Sequence, residues 1–548
     1  MLRLLAALVL TLVAFPLEAR ELRIGLSQYP STFNLLTEAS VAQSYVNGMT
    51  RRPVTAYDQD WKLVCMLCVE VPSLENGLAK LETTPTGEQG IAVTYKLQPD
   101  ATWGDGTPVT SADMVFTWEV GKHPLSGTIG GEGFRRILSI DVIDDKTFTV
   151  HQDRVEFTYA AMGVELLPAH IEKPLFESDP ATWRERTAFD ADPTNPGLYF
   201  GPYRIVQVTP GSEIVLEPNP TWYGAKPAFE RIRLVTVPNT ATLEANLLSG
   251  AIDMIAGELG LQIDQAISFQ RRHGDDYQML FIAGLFWEHI DLMLDSPRLG
   301  DIRVRQALLY ALDREKLSQQ LFAGQQPVAT SFVSPLSKYF DENLPAYGYD
   351  PDKARQLLDE AGWTPGPDGI RVNAKGERLS LSYITTAGDR TRELVQQVLQ
   401  SQWRQLGIDV AIENEPPRVF FGETLTRRRF DGLMLFAWIS SPENVPRSTL
   451  HSQEIPTPEN GWSGQNYGGF ADPRMDELLD SIEVELDRGR RERLWHELQQ
   501  IYAEELPALP LFFRSNAHVW PKWLHGVVPT GHQTPTTMAV ERWLAVEP

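Results

Sequence analysis

Apolar positions in the second half of the chain recur with a helical period. Over residues 301–322, Val304, Ala307, Leu308, Ala311 and Leu312 fall on one face, which predicts a single amphipathic helix. Asp350 followed by Pro351 predicts a helix start, with Asp as N-cap and Pro in the first position. That helix ends at Gly362, a good residue for the left-handed turn after a helix. Residues 390–406 read as a third helix closed by Gly407, and residues 408–412 then alternate as a strand. Two more amphipathic helices are expected at 475–482 and 490–505. The first half has the two-residue period of strands, at 21–26, 91–97 and 147–150, with a helix at 40–49. A polar, Pro-rich break spans 190–197 and leads to a turn and strand beginning at Gly201. There is no internal repeat. Periodicity alone gives a large α/β protein.

The N-terminus changes the compartment. Arg3 provides a positive start, residues 4–15 are uncharged and apolar, and Leu17-Glu18-Ala19 ends in a small residue. This reads as a cleavable secretory signal peptide over 1–19, too short to span a bilayer. No Cys follows the apolar run, so no lipid attachment is expected. No other run approaches the roughly 18 apolar residues of a membrane helix. A diffusible periplasmic protein is the expectation.

The length of 548 residues allows about three or four domain-sized units at ~150 residues each. The formal charge of −23 argues against nucleic acid and anionic membranes as partners, since both select basic patches. The two cysteines, Cys65 and Cys68, form a C-x-x-C pair. No second Cys pair or nearby His pair completes a zinc site, and the βαβ context of a thioredoxin-like motif is absent. In a strand, residues three apart lie about 10 Å apart, beyond the ~7 Å a disulfide tolerates. A bridge therefore requires a turn at Met66-Leu67, and a structural disulfide and two buried thiols both remain open.

Enzymatic motifs are only approached. His496-Glu497-Leu498-Gln499-Gln500 lacks the second His of a zinc-protease helix. Gly461-Trp462-Ser463-Gly464 lacks the spacing of a nucleophile elbow. No catalytic residue, metal site or cofactor is expected.

One ordered string is more specific. Trp103-Gly104-Asp105-Gly106-Thr107-Pro108-Val109-Thr110-Ser111-Ala112-Asp113 reads physically as a turn feeding a capped helix that continues through Met114 and Phe116. As a string it resembles the signature of the peptide/nickel family of solute-binding proteins, the receptors that feed ABC importers. Further blocks follow in family order: Gly201-Pro202-Tyr203, Asn219-Pro220-Thr221-Trp222-Tyr223, Leu248-Ser249-Gly250-Ala251-Ile252-Asp253, and Arg303 to Leu308 with Ala311-Leu312-Asp313-Arg314. The resemblance runs from near Leu22 to about Phe512. It implies an α/β, two-lobed periplasmic binding protein fold with a hinge and an extra N-terminal subdomain. Lobe I would comprise 20–50, 195–270 and 506–548, the extra subdomain 51–194, and lobe II 271–505. The implied function is the substrate-binding component of an ABC importer. It would act as a monomer, capture peptides between the lobes and deliver them to a permease and ATPase complex in the inner membrane. A non-peptide solute (opine, oligosaccharide or metal chelate), a chemoreceptor-coupled binding protein and a secreted hydrolase are the alternatives.

Candidate ligand contacts follow from the same comparison. Residues 430–438 read as a buried strand emerging into a loop, and such loops carry ligand sites in α/β lobes. In peptide-binding relatives that strand ends in Trp, and a carboxylate three residues later pairs with the peptide's α-ammonium. Trp438 matches, and Ser441 stands at the carboxylate position. Ser441 is neutral and cannot make that charge-assisted bond. Either Glu443 substitutes or the ligand needs no ammonium anchor, and the latter is the favoured expectation. Asn444 in the same loop, Asn466 and Tyr467 ahead of the next helix, and Trp287 near the hinge complete the expected contacts.

Overall fold

The computed structural model describes residues 21–546, so the expected signal peptide lies outside the described residues. Ten strands form one sheet running through both halves of the molecule. Two long strands, Tyr277–Leu292 and Ala508–Pro521, pair antiparallel at its centre. Beyond Ala508–Pro521 come Met254–Ile255, Glu21–Leu26, Arg231–Thr236, Glu213–Pro218 and Tyr203–Thr209, the sheet of lobe I. Beyond Tyr277–Leu292 come Leu433–Ile439, Ser380–Ile384 and Asp409–Ile412, the sheet of lobe II.

Both central strands therefore serve both lobes. Trp520 packs in the lobe I core, while Leu509, Leu511 and Phe512 of the same strand pack in the lobe II core with Ile290 and Leu292. Lobe I was expected to own all of 506–548. The pairing of the two strands shifts register between Ala283 and Trp287, so residues 284–286 stand opposite Arg514 alone. Such a bulge bends a strand pair locally and interrupts its ladder, and here it lies at the join of the lobes.

The helices of lobe II cover the sheet with the stripes their sequences carry. Asp350 caps Pro351–Glu360 by accepting the Lys353 N–H at 2.9 Å, and Gly362 takes a φ of +83° just after the helix. Gly407, at +80°, stops the helix Arg390–Arg404 and turns the chain into Asp409–Ile412. The helix expected over 301–322 is instead two, Ile302–Tyr310 and Arg314–Phe322. Asp313 breaks it by accepting the Lys316 N–H at 3.0 Å as a new N-cap. The break lets Arg314 point inward, where its guanidinium donates to the carbonyls of Ala329, Pro510 and Tyr347.

The extra subdomain is a four-stranded antiparallel sheet, Ala79–Thr83, Gln89–Lys96, Thr147–Gln152 and Ile137–Asp144, over its own core. The signature string is its joint to lobe I. Asp113 accepts from the Thr110 and Ala169 N–H groups at 2.8 and 2.9 Å and from the Trp103 indole at 3.3 Å. The Gly104 N–H donates to Tyr199, and a Cβ at Gly104 would lie 2.5 Å from the Pro196 carbonyl oxygen. Thr221 donates to the Trp103 carbonyl, and Asn219 to that of Gly201. Three family blocks thus converge on one seam.

Cys65 and Cys68 are disulfide-bonded, with their Cα atoms 5.0 Å apart. The required turn is present: the Met66 and Leu67 N–H groups both donate to the Val54 carbonyl, and Cys68 is fully buried.

Candidate functional site

The strand Leu433–Ile439 runs beside Tyr277–Leu292, with its apolar side chains buried at the start, half-buried at Trp438 and exposed at Ile439. This gradient follows from the hinge, because the strand leaves the lobe II core where the lobes part. Trp287, His289 and Asp291 share one face of their strand, as the two-residue side-chain period requires. Trp438, Phe436 and Met434 are their cross-strand partners.

Trp287, Asp291 and Trp438 line a cavity of about 110 Å³, together with Phe332, Tyr467 and Tyr502. Trp438 stacks on Tyr467 with centroids 5.9 Å apart and planes 19° from parallel. Trp287 stacks on His289 at 4.2 Å and meets Tyr502 edge-on at 6.1 Å. Burial raises the proton affinity of the Tyr467 phenolate and, more strongly, that of Tyr502, so both rings are neutral. Of the residues expected at the ligand, Trp287, Trp438, Asn444, Asn466 and Tyr467 line this one cavity. Asn466 does so with its amide already committed. It donates to the His451 and Phe470 carbonyls and accepts the Phe470 N–H, so it shapes the loop.

Ser441 and Glu443 face a second cavity of about 350 Å³ between the lobes, which shares Asn444 with the first. Glu443, at φ +64°, takes the left-handed conformation that few residues other than Gly adopt. Its carboxylate is already engaged: Lys338 forms an ion pair with it, and the Tyr57 hydroxyl donates to it at 2.7 Å. Glu443 is therefore not a free anchor waiting for an ammonium. Tyr57 belongs to the extra subdomain, so this bond crosses from one side of the cleft to the other. Burial first, then the adjacent Glu443 charge, push the Tyr57 hydroxyl well above its ordinary value. Two further bonds cross the cleft: the Phe157 N–H donates to the Glu483 carbonyl, and the Gln533 amide to the Ser440 carbonyl. The Arg491 guanidinium lies 4.4 Å over the Phe157 ring and donates to Tyr339, whose hydroxyl burial pushes up to about 12. The lobes are held closed.

Sequence reasoning did not find Tyr57, Lys338 or Asp291. Tyr57 and Lys338 lie far from Glu443 along the chain, in segments without a motif. Asp291 stands in a strand ending that already carries Glu288 and His289, so its charge did not single it out. No group of three or more His, Cys, Asp or Glu side chains able to hold a metal is found among the described residues. Nor is any described helix long and apolar enough to cross a membrane.

A two-lobed α/β molecule, with a polar cavity between its lobes and an aromatic one adjoining it in lobe II, has the architecture of a cleft-type binding protein. The chain belongs to the bacterial extracellular solute-binding proteins, family 5, whose middle-region model matches residues 74–456. It is 24% identical over 477 residues to the oligopeptide-binding protein OppA of Bacillus subtilis strain 168, covering 83% of each chain. It is 27% identical over 323 residues to the nickel-binding periplasmic protein of Escherichia coli K12, covering 58% of this chain and 59% of that one. The crystal structure of an oligopeptide-binding protein from Thermus thermophilus, complexed with a pentapeptide, superposes with a TM-score of 0.69. Its sequence is 29% identical, and the match covers 95% of this chain and 96% of that one.

Proposed function

We propose that this protein is the periplasmic receptor of an ABC importer and that it captures peptides in the interlobe cleft. It is made with a signal peptide over 1–19 and delivers its ligand to a permease and ATPase complex. The observation that carries this reading is a polar cavity between the lobes adjoining an aromatic one in lobe II, in a family whose relatives include oligopeptide-binding proteins. A cleft of this kind binds an extended chain through backbone hydrogen bonds and lets water fill the space around varied side chains. Ligand touching both lobes stabilises the closed form, and the closed form is what the permease recognises. Trp287, Trp438, Ser441, Asn444 and Tyr467 are the proposed contacts, with bending at residues 284–286 and Arg514.

Mass spectrometry of material released on denaturing the purified protein tests this reading. Short peptides are expected. Recovery of a metal chelate, an opine or an oligosaccharide would replace the ligand class. The nickel-binding relative keeps that second reading open. Hydrolysis of bound peptides by the pure protein would overturn a binding-only role.

A further inference from the structure

The extra subdomain holds a cavity of its own, about 310 Å³ against about 110 Å³ for the aromatic one. Its floor is apolar. Tyr95 and Val150 come from neighbouring strands of the four-stranded sheet, Met114 from the helix Ser111–Lys122, and Met162 from the segment after Thr147–Gln152. All four are buried in the subdomain core. Phe134 and Ile137 add apolar wall from the short helix Gly131–Arg135 and the strand after it. Gly133 and Gly163 also line the cavity, and a Cβ on either would meet nothing within 4 Å.

The charges lie toward solvent and are paired among themselves. Arg136 pairs with Glu156 at 2.6 Å and with Glu132 at 3.0 Å, and Arg154 with Asp153 at 3.0 Å. Each charged residue that lines the cavity thus has its partner. An apolar floor beneath paired charges favours an apolar occupant over a charged one.

This cavity is continuous with the cleft. Arg136, Glu156, Thr158 and Ala161 line both it and the polar cavity between the lobes. The Phe157 N–H, in the middle of that shared segment, donates across the cleft to the Glu483 carbonyl at 2.9 Å. Closing the lobes therefore fixes the mouth of the pocket. The Arg136 Nε is buried and finds no acceptor among the described residues, and a ligand carbonyl at the mouth would supply one.

We propose that this cavity is a side pocket of the cleft that takes one apolar side chain of the bound ligand, of the Leu, Met or Phe kind. The ligand backbone crosses the polar cavity, passes the Arg136–Glu156 pair and places that side chain on the Met114–Met162 floor. This rests on the peptide reading for the chain that carries the group, and it puts part of the specificity in the extra subdomain.

Two experiments separate the pocket from the peptide reading. In the first, isoamyl alcohol, which carries the Leu side-chain carbons, is titrated into the purified, ligand-stripped full chain, with ethylene glycol as the polar control. Methyl NMR of isotope-labelled methionine is followed, and Met114→Leu and Met162→Leu assign the two resonances. Saturable shifts of Met114 and Met162 with the alcohol and none with the glycol are expected. Neither Gly133 nor Gly163 takes a positive φ, so Gly133→Leu/Gly163→Leu can fill the space and should weaken the response at least tenfold. If the double variant does not fold, the two single variants are read in its place. No saturable shift in wild type, or an unchanged response in the filled protein, overturns the pocket whatever the peptides do.

In the second, an equimolar pentapeptide library is offered to wild type and to the filled variant, and the retained fractions are sequenced. At least tenfold enrichment of an apolar residue at one position in wild type, lost in the filled variant while other peptides are still retained, supports the proposal. Retention without that preference, or with the same preference in both proteins, overturns the pocket and leaves peptide binding standing. No retention beside intact alcohol binding overturns the peptide reading and leaves the pocket standing.

Discussion

Trp287 and Trp438 are cross-strand partners on one rung of the ladder between Tyr277–Leu292 and Leu433–Ile439, immediately after the register break at the hinge. Both line the same cavity. One indole comes from a strand that spans the lobes and the other from a strand confined to lobe II, so the pair sits where bending begins.

Trp438→Ala is expected to weaken binding of the co-purifying solute by about 2 kcal/mol, roughly thirtyfold, as loss of a central aromatic contact does. Calorimetry against that solute reads the change, with a melting curve to confirm folding. Unchanged affinity would move the site elsewhere in the cleft.

Tyr57→Phe keeps the ring and removes only the hydroxyl that bonds Glu443 across the cleft. A hydrogen bond to a charged group contributes about 1.5–3 kcal/mol. The closed form should lose about that much relative to the open one, and the ligand-free protein should have a larger radius of gyration in solution scattering. An identical scattering profile for the two proteins would mean that this contact does not hold the lobes.

Asp113→Ala removes an acceptor for three donors at the subdomain joint. Loss of the cap and the orphaning of buried donors are expected to cost about 3 kcal/mol. Affinity of the folded protein should stay within a few-fold, because the residue faces the seam and not the cleft. Urea titration and calorimetry on the same sample check the two halves of this expectation.

The Cys65–Cys68 bridge closes a very short loop, and chain-entropy reasoning assigns it about 2 kcal/mol. Replacing both by Ser is expected to lower the melting temperature and to leave ligand affinity within a few-fold. Mass spectrometry after alkylation should show two additional adducts only when reduction comes first.

Stability should fall as pH drops through about 6.5, the ordinary histidine value. Burial holds His518 and His532 below that range, so the native state resists the protons that the unfolded chain accepts there. Each such histidine gives a slope of at most about 1.4 kcal/mol per pH unit. Burial raises Asp113, Glu165 and Glu172, which works in the opposite sense but toward the carboxylate range. Urea midpoints taken above, at and below the histidine range measure the trend, and His518→Gln should flatten it.

Local features were legible because they are written in local chemistry. Asp350-Pro351, Gly362 and Gly407 set helix ends through their own backbones and side chains, and each acts where the sequence places it. Asp313 was misread because its apolar neighbours keep the helical period on both sides of the break. The signature string identified the family yet belongs to a structural joint, so it carries no information about the ligand. Trp438 was found by its strand, whereas the pairing of Glu443 with Tyr57 and Lys338 depends on how three distant segments meet. Asn466 lines the cavity, and only the folded loop reveals that its amide is spent on backbone groups.

The strand Ala508–Pro521 lies in the middle of the sheet, between strands that begin at Tyr277 and Met254. Its neighbours on both sides come from segments more than two hundred residues earlier in the chain, so the two halves of the sheet become one only through a contact of high sequence separation. Pairings of this kind form slowly, and this strand is the step on which the continuity of the sheet depends.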